Sequence, residues 1–332
     1  MRVRSPGRVN LIGDHTDYTG GLVFPMAIDR YTTITYSHSP DVVSLTSHAE
    51  PGTVEFSARA PFDTTMQPRW GRYIHAVASL LPDVHPITGV IDTTIPVGAG
   101  LSSSASLEIA AALALGAQMN STELALLTQR AEQLATGVPT GIMDQLCIAS
   151  ARANHGTLID CHSLDVSHIP IPDDIKIVVQ FITHRTLVGS EYSDRVSECS
   201  RAEQEIGPLR LADNDMVEKI RDPLLRQRAR HVVSENERVR QFTAALSQGH
   251  YTVAGRLMVG SHHSLARDFA TSTTRMDDAV QSAINTPGVF GARMTGGGFG
   301  GCIVALCEPE CSLQGWVVTP TDCAHLVPPE TT

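Results

Sequence analysis

The chain has 332 residues, 42% of them hydrophobic and 18% charged, the balance of a soluble globular chain long enough for two lobes. Its 25 basic and 35 acidic side chains leave a net charge of −10, which argues against nucleic acid or an anionic membrane as partner. Two of the basic residues are lysines, Lys176 and Lys219, each followed by Ile, so a Walker A loop, which needs Lys followed by Ser or Thr, is excluded.

In chain order, residues 1–37 alternate β-branched runs with turn residues: Val9–Ile12 as a strand, a polar loop over 13–19, then Gly20–Phe24 as a second strand. Residues 31–60 add further strands, and 70–81 read as a helix whose apolar face carries Tyr73, Ile74 and Val77. Val90–Ile95 is a strand leading into a glycine- and serine-rich turn, followed by a small-residue helix over about 104–119. Ser121 reads as the N-cap of the next helix, with Leu124, Leu127, Ala131 and Leu134 as its stripe and Gly137 as its stop. Ile175–Ile182 is an apolar strand, and 190–206 a helix with Tyr192, Val196 and Cys199 on one face. The Asp-, Asn- and Pro-rich stretch 208–225 reads as a linker, and 226–246 and 251–269 as two helices. A strand-like run at 291–295, a glycine loop and the strand Cys302–Cys307 follow. Strands and helices intermix without strict alternation, which is the α+β class in two lobes.

The seven cysteines are odd in number and form no CxxC, the usage of free thiols in a reducing compartment. The N-terminus has no apolar signal core, and no run approaches the ~18 apolar residues of a membrane span, so a cytoplasmic protein is expected.

Four segments carry candidate chemistry. Pro96–Ser106 sets Gly98 and Gly100 before Ser102, Ser103 and Ser104 at a helix start, where unpaired N–H groups and the helix dipole favour an anion, phosphate above all. A glycine turn with serine capping is the plainer reading. Residues 296–301 hold five glycines, a run that suits close backbone approach to a neighbour, or a plain surface loop. Asp14-His15-Thr16-Asp17-Tyr18, preceded by Arg8, is dense enough in polar and aromatic groups for a ligand with many hydroxyls, a sugar above all, or else is a charged hairpin tip. In Gly141–Gln145, Asp144 stands among apolar residues, either as a helix N-cap or as a base. The histidine pair His262-His263 has no other ligand at metal spacing and reads as an ordinary helical pair.

Together, and in this order, the segments resemble the galactokinases of the GHMP sugar-kinase superfamily: Pro6–Tyr18 looks like the galactokinase signature, Gly98–Ser106 the phosphate loop and Arg293–Gly301 the third motif, with Gly141–Gln145 and Thr186–Tyr192 also matching. The resemblance covers residues 4–306 and implies the two-lobed GHMP-kinase fold with the active site between the lobes, divided as 1–170 and 171–332. It implies transfer of the ATP γ-phosphate to the anomeric (C1) hydroxyl of galactose, with Mg²⁺ as cofactor. It also implies small-molecule partners only, and a monomer or weak homodimer.

By this resemblance Asp144 and Arg8 are catalytic, and Asp14, His15, Asp17, Gly141 and Tyr192 hold the sugar. Trp70, Gly98, Ala99, Gly100, Leu101, Ser102, Ser103 and Ser104 bind ATP, and Ser104 and Glu132 ligate Mg²⁺. The chain departs from the family in shortened termini and in Asp14, where galactokinases carry Glu. That shorter carboxylate keeps open a related acceptor, N-acetylgalactosamine, arabinose or a cyclitol. A galactokinase-like sugar sensor without catalysis is the reading from another class.

Overall fold

The computed structural model describes residues 1–184 and 190–328; the Thr186–Gly189 part of one motif lies outside them. The chain opens on two antiparallel strands, β1 (Arg2–Ile12) and β2 (Leu22–His38), joined by the 13–21 loop. The sequence suggests two short strands in place of β2. β2 instead continues as one strand, and its pairing with β1 shifts register at Pro6/Gly7 and between Asn10 and Ile12. β3 (Val42–Ser47), β4 (Thr53–Ser57) and β5 (Ile87–Thr93) extend this sheet, and the hairpin β6 (His155–Asp160) and β7 (Asp165–Pro170) joins it at β2. A second sheet is built from β8 (Lys176–Thr183), β9 (Val289–Thr295), β10 (Gly301–Cys307) and β11 (Trp316–Val318), in the order β11-β8-β10-β9. The last strand, β12 (His325–Val327), returns to pair with β1 in the first sheet.

Helices α1 (Gly71–Leu80), α2 (Ser103–Ala114), α3 (Ser121–Thr136) and α4 (Met143–Ser150) pack on the first sheet around a core that includes Ile34, Leu45, Ile74 and Ile109. α5 (Ser190–Ile206), α6 (Asn214–Val217), α7 (Pro223–Ser247), α8 (Tyr251–Arg267) and α9 (Thr274–Ile284) flank the second. Period-two alternation divides β10 between two cores. Cys302, Val304 and Leu306 face a core shared with β1, β2 and α7, whereas Ile303, Ala305 and Cys307 face one built from α5, α7 and α9. The first of these cores, with Val9, Phe24, Phe242 and Val304, joins the two sheets across the molecule.

Three local expectations are corrected. The small-residue helix ends at Ala114 rather than near 119, because Gly116 turns into the left-handed region at φ +99°. The cap of α3 is Asn120, not Ser121: its side chain accepts the Glu123 N–H at 2.9 Å while the Glu123 carboxylate accepts the Asn120 N–H at 3.1 Å. Residues 208–225 are not a linker, since Leu209, Val217, Ile220 and Leu225 are buried in the core of the second sheet. The acidic residues that suggested solvent are helix caps: Asp213 accepts from Met216 N at 2.8 Å, and Asp222 from Leu224 N at 2.9 Å ahead of Pro223. The seven cysteines are free, as their number and spacing suggest.

Candidate active site

A cleft of about 770 Å³ opens between the 13–21 loop, the start of α2 and the start of α4. Arg8, from the middle of β1, is buried at its base. Its Nε and Nη2 donate to the two carboxylate oxygens of Asp144 at 2.7 and 2.8 Å, and its Nη1 donates to the Gly100 carbonyl at 2.7 Å. This fork geometry fixes the plane of the Asp144 carboxylate, a quarter of whose side chain stays open. Burial works against the Arg8 charge, but Asp144 and Asp14 outweigh it and hold the guanidinium pKa above its usual value. Asp144 lies in the first turn of α4, whose N-cap is Ile142, so it is not the helix cap. Ser102 Oγ also donates to Asp144 Oδ2.

The phosphate-loop segment bends through Gly98 (φ +73°) and Gly100 (φ +81°), and Ser102 itself sits in the left-handed region at φ +60° just before α2. It is tied to β1 where Arg8 N donates to the Leu101 carbonyl at 3.1 Å; a side chain at Gly7 would meet that same oxygen at 2.7 Å. Gly98, Gly100, Ser102, Ser103 and Ser104 line the cleft, as does Trp70, whose indole N–H donates to Pro51 O at 3.1 Å. The Ala99 and Leu101 side chains do not; both are buried in the core behind the loop.

Ser104 Oγ donates to Glu132 Oε1 at 2.8 Å, which brings the start of α2 against α3. The other Glu132 oxygen accepts from Gln145 Nε2 at 2.8 Å, and Gln145 also reaches Glu108 at 3.2 Å. Burial, reinforced by Asp144, raises the Glu132 pKa; burial and Glu132 push Glu108 well above the usual carboxylate range.

On the opposite wall Asp17 presses against Gly141 so closely that a Cβ there would lie 1.9 Å from Asp17 Oδ2. Glycine is required at 141 by that approach. Burial, with Asp144 nearby, pushes the Asp17 carboxyl up to about 7. His15 adopts φ +66°, a strained conformation for a side chain of its size, and its ring packs between Phe269 (4.8 Å) and Tyr192 (5.6 Å). Asp14 lies deeper. Its Oδ2 pairs with Arg293 Nη2 at 2.7 Å and its Oδ1 accepts the Gly296 N–H at 3.2 Å, in a site where both side chains are almost fully buried. Burial raises the Asp14 pKa against the opposing pull of Arg293 and Arg8.

The structure therefore gathers around one cleft every residue given a catalytic, sugar, ATP or Mg²⁺ role from the sequence except Ala99 and Leu101. Sequence reasoning gave no role to Arg293, Gln145, His231 or Glu235, polar residues that the fold buries completely. His262 is buried, 3.2 Å from Asp277, and no cluster of three or more His, Cys, Asp or Glu side chains that could hold a metal ion is formed among the described residues.

The fold and this cleft define a kinase of the GHMP type. Residues 1–38 match the galactokinase galactose-binding signature, 72–152 the GHMP kinase N-terminal domain and 242–312 the GHMP kinase C-terminal domain. The chain is 40% identical to the galactokinase of Bos taurus over 94% of its length and 85% of the bovine chain, and 43% identical to that of Chloroflexus aggregans over 92% and 84%. It superposes on a crystal structure of Lactococcus lactis galactokinase complexed with galactose with a TM-score of 0.89 and 30% identity, covering 98% of this chain and 94% of that one. The chain belongs to the galactokinase family.

Proposed function

We propose that this chain transfers the γ-phosphoryl group of ATP to the anomeric hydroxyl of galactose, giving galactose 1-phosphate and ADP. The observation that carries the reading is the Asp144 carboxylate, locked by Arg8 between the serine-rich phosphate loop and the 13–21 loop. A sugar resting on Asp17, His15 and Tyr192 places its anomeric oxygen toward Asp144, which takes up the hydroxyl proton as the new O–P bond forms and the bond to ADP breaks. Arg8 keeps Asp144 oriented and adds positive charge where phosphoryl charge develops. The N–H groups at the start of α2 meet the phosphates without a lysine, and Trp70 flanks the nucleotide base.

The cleft fits a divalent cation at Ser104 and Glu132: a hydroxyl and a carboxylate in contact at 2.8 Å, in a neighbourhood where the Asp144 charge raises the pKa of both Glu132 and Glu108. Ser104 and Glu132 would hold Mg²⁺, which would supply positive charge to the phosphate oxygens. The division into lobes near residue 170, action in the cytoplasm and a monomeric or weakly dimeric state belong to the same proposal; no described helix is long and apolar enough to cross a membrane.

A related acceptor is the second reading, favoured by one observation: both Asp14 oxygens are engaged by Arg293 and Gly296 inside the protein. Coupled ADP release with Mg-ATP tests both, using galactose, 2-deoxygalactose, N-acetylgalactosamine, arabinose, glucose and galacturonate. Fastest turnover on galactose is the expected result. Turnover confined to a sugar altered at C2 or C6 would replace galactose as the acceptor, and no turnover on any sugar would overturn the proposal.

A further inference from the structure

The 13–21 loop carries the groups assigned above to the sugar, yet its backbone is held from outside by a polar stripe on α7. His231, Glu235 and Asn236 are buried there. His231 Nε2 lies 3.0 Å from the Asp14 carbonyl. A carbonyl only accepts, so this nitrogen carries the proton and donates, and Nδ1, 3.0 Å from Ser264 Oγ, is the face turned to α8. Glu235 Oε1 accepts the Gly13 N–H at 3.0 Å and is held by Ser261, while its Oε2 pairs with Arg238 at 2.6 Å. Asn236 Oδ1 accepts the Leu22 N–H at 2.7 Å, and its own amide is anchored on Val232 O. The three side chains grip both ends of the loop, at Gly13–Asp14 and at Leu22.

The loop is shaped to receive them. Gly13 is at φ +95°, and a Cβ on Gly21 would stand 2.5 Å from Asn236 Oδ1. The His231 ring also packs on Phe269 at 4.6 Å, and Phe269 in turn packs on His15 at 4.8 Å. His231 thus reaches the loop twice, through the Asp14 backbone and through the ring that backs His15.

We infer that His231, Glu235 and Asn236 are positioning residues for sugar binding: they set the pose of Asp14, His15 and Asp17 from the far side of the loop without touching sugar or nucleotide. This rests on the proposed function in taking the loop as the sugar's holder. The nucleotide side of the cleft, at the start of α2, is formed by other elements, so the effect should separate by substrate.

The test is steady-state kinetics with galactose and Mg-ATP varied independently. His231→Phe keeps a ring against Phe269 and removes the donor, and should raise the galactose KM about tenfold with the Mg-ATP KM within twofold of the parent. His231→Gln places an amide N–H near the position of Nε2 and should restore most of the galactose affinity. Asn236→Ala removes the acceptor at the other end of the loop and should move the galactose KM in the same direction, which keeps the inference testable if His231→Phe does not fold. An unchanged galactose KM in a folded variant, or equal rises in both KM values, would overturn it. If the parent itself turns over no galactose, the proposed function fails, and amide hydrogen exchange decides the inference alone. His231→Phe should then speed exchange in residues 13–22 and leave 98–106 unchanged, and equal rates in 13–22 would refute it.

Discussion

Asp144 and Asp17 lie in the same cleft under opposite control, and this decides what each can do. Asp144 has its counter-charge within 2.8 Å in the Arg8 guanidinium, so it is oriented and charge-compensated before any substrate arrives. Asp144→Ala should lower kcat by about 10²–10⁴-fold, the usual range for a positioned proton acceptor, with both KM values within a few-fold. Nearly intact turnover in coupled ADP release would remove Asp144 from that role. The same change strands a buried guanidinium, so a fall in stability of about 3–5 kcal/mol in urea unfolding should accompany it. No such cation faces Asp17 among the described residues. Burial and the Asp144 charge raise its pKa to about 7, so below that pH it is largely protonated and presents one fewer acceptor to a sugar. The galactose kcat/KM should therefore climb with pH up to about 7 and then level, and Asp17→Asn should give a low value without that rise. A parent profile flat from pH 6 to 8 would sink the assignment. Both carboxylates were legible in the sequence, because each sits in a short motif; the difference between them was not, since it depends on Arg8, distant from Asp144 in the chain but adjacent in the fold.

At the level of elements, local signals served well where one residue decides a boundary and poorly where packing does. The extent of α5 followed from its amphipathic stripe, and the stop of α3 at Gly137 (φ +74°) from glycine's access to the left-handed region. The 208–225 stretch misled because Asp and Pro mark helix caps as readily as solvent, and only the burial of Leu209, Val217, Ile220 and Leu225 tells the two apart. Glycines at close contacts were equally silent. Gly255 on α8 and Gly291 on β9 face one another so tightly that a Cβ on Gly255 would stand 2.0 Å from Phe290 O, and one on Gly291 2.1 Å from Gly255 O. That contact seats α8 on the strand that delivers Arg293 to Asp14. Gly255→Ala should push the helix off the strand and destabilise the protein by about 2–3 kcal/mol, with a lower thermal midpoint. The better helix propensity of alanine opposes this by only about 1 kcal/mol, so a stabilised Gly255→Ala protein would show that the contact yields.

Across the whole molecule, β1 and the 13–21 loop are tied at the site to β9 and α7 by polar bonds: Asn10 N to Thr295 Oγ1 at 3.0 Å, Asp14 to Arg293 at 2.7 Å, and Asp14 O to His231 at 3.0 Å. Each joins residues more than 200 positions apart, which is why the motifs could be found in the sequence and their mutual geometry could not. These buried ties also set how the fold responds to acid. His231 is surrounded by Glu235 and Arg238 on its own helix, Arg293 on β9, the Asp14 carbonyl, and Asp268 reached through Ser264 on α8. Burial dominates, with Arg238 and Arg293 adding to it against the pull of Glu235, and the His231 pKa falls to about 4. In the unfolded chain the same imidazole takes its proton near pH 6.5. Between those values the unfolded state binds a proton that the native state refuses, so stability is intact above about 6.5 and is lost as the pH falls toward 4. His231→Gln cannot take that proton, and its urea-unfolding free energy should fall by about 2–3 kcal/mol less than the parent's between pH 7 and pH 4.5. Glu235, drawn down to about 2 because Arg238, His231, Arg293 and Ser261 outweigh its burial, loses its stabilising charge only as the pH drops from about 4.5 toward 2. It therefore changes little within the measured window, and parallel curves for parent and His231→Gln would mean that His231 accepts its proton in the folded protein.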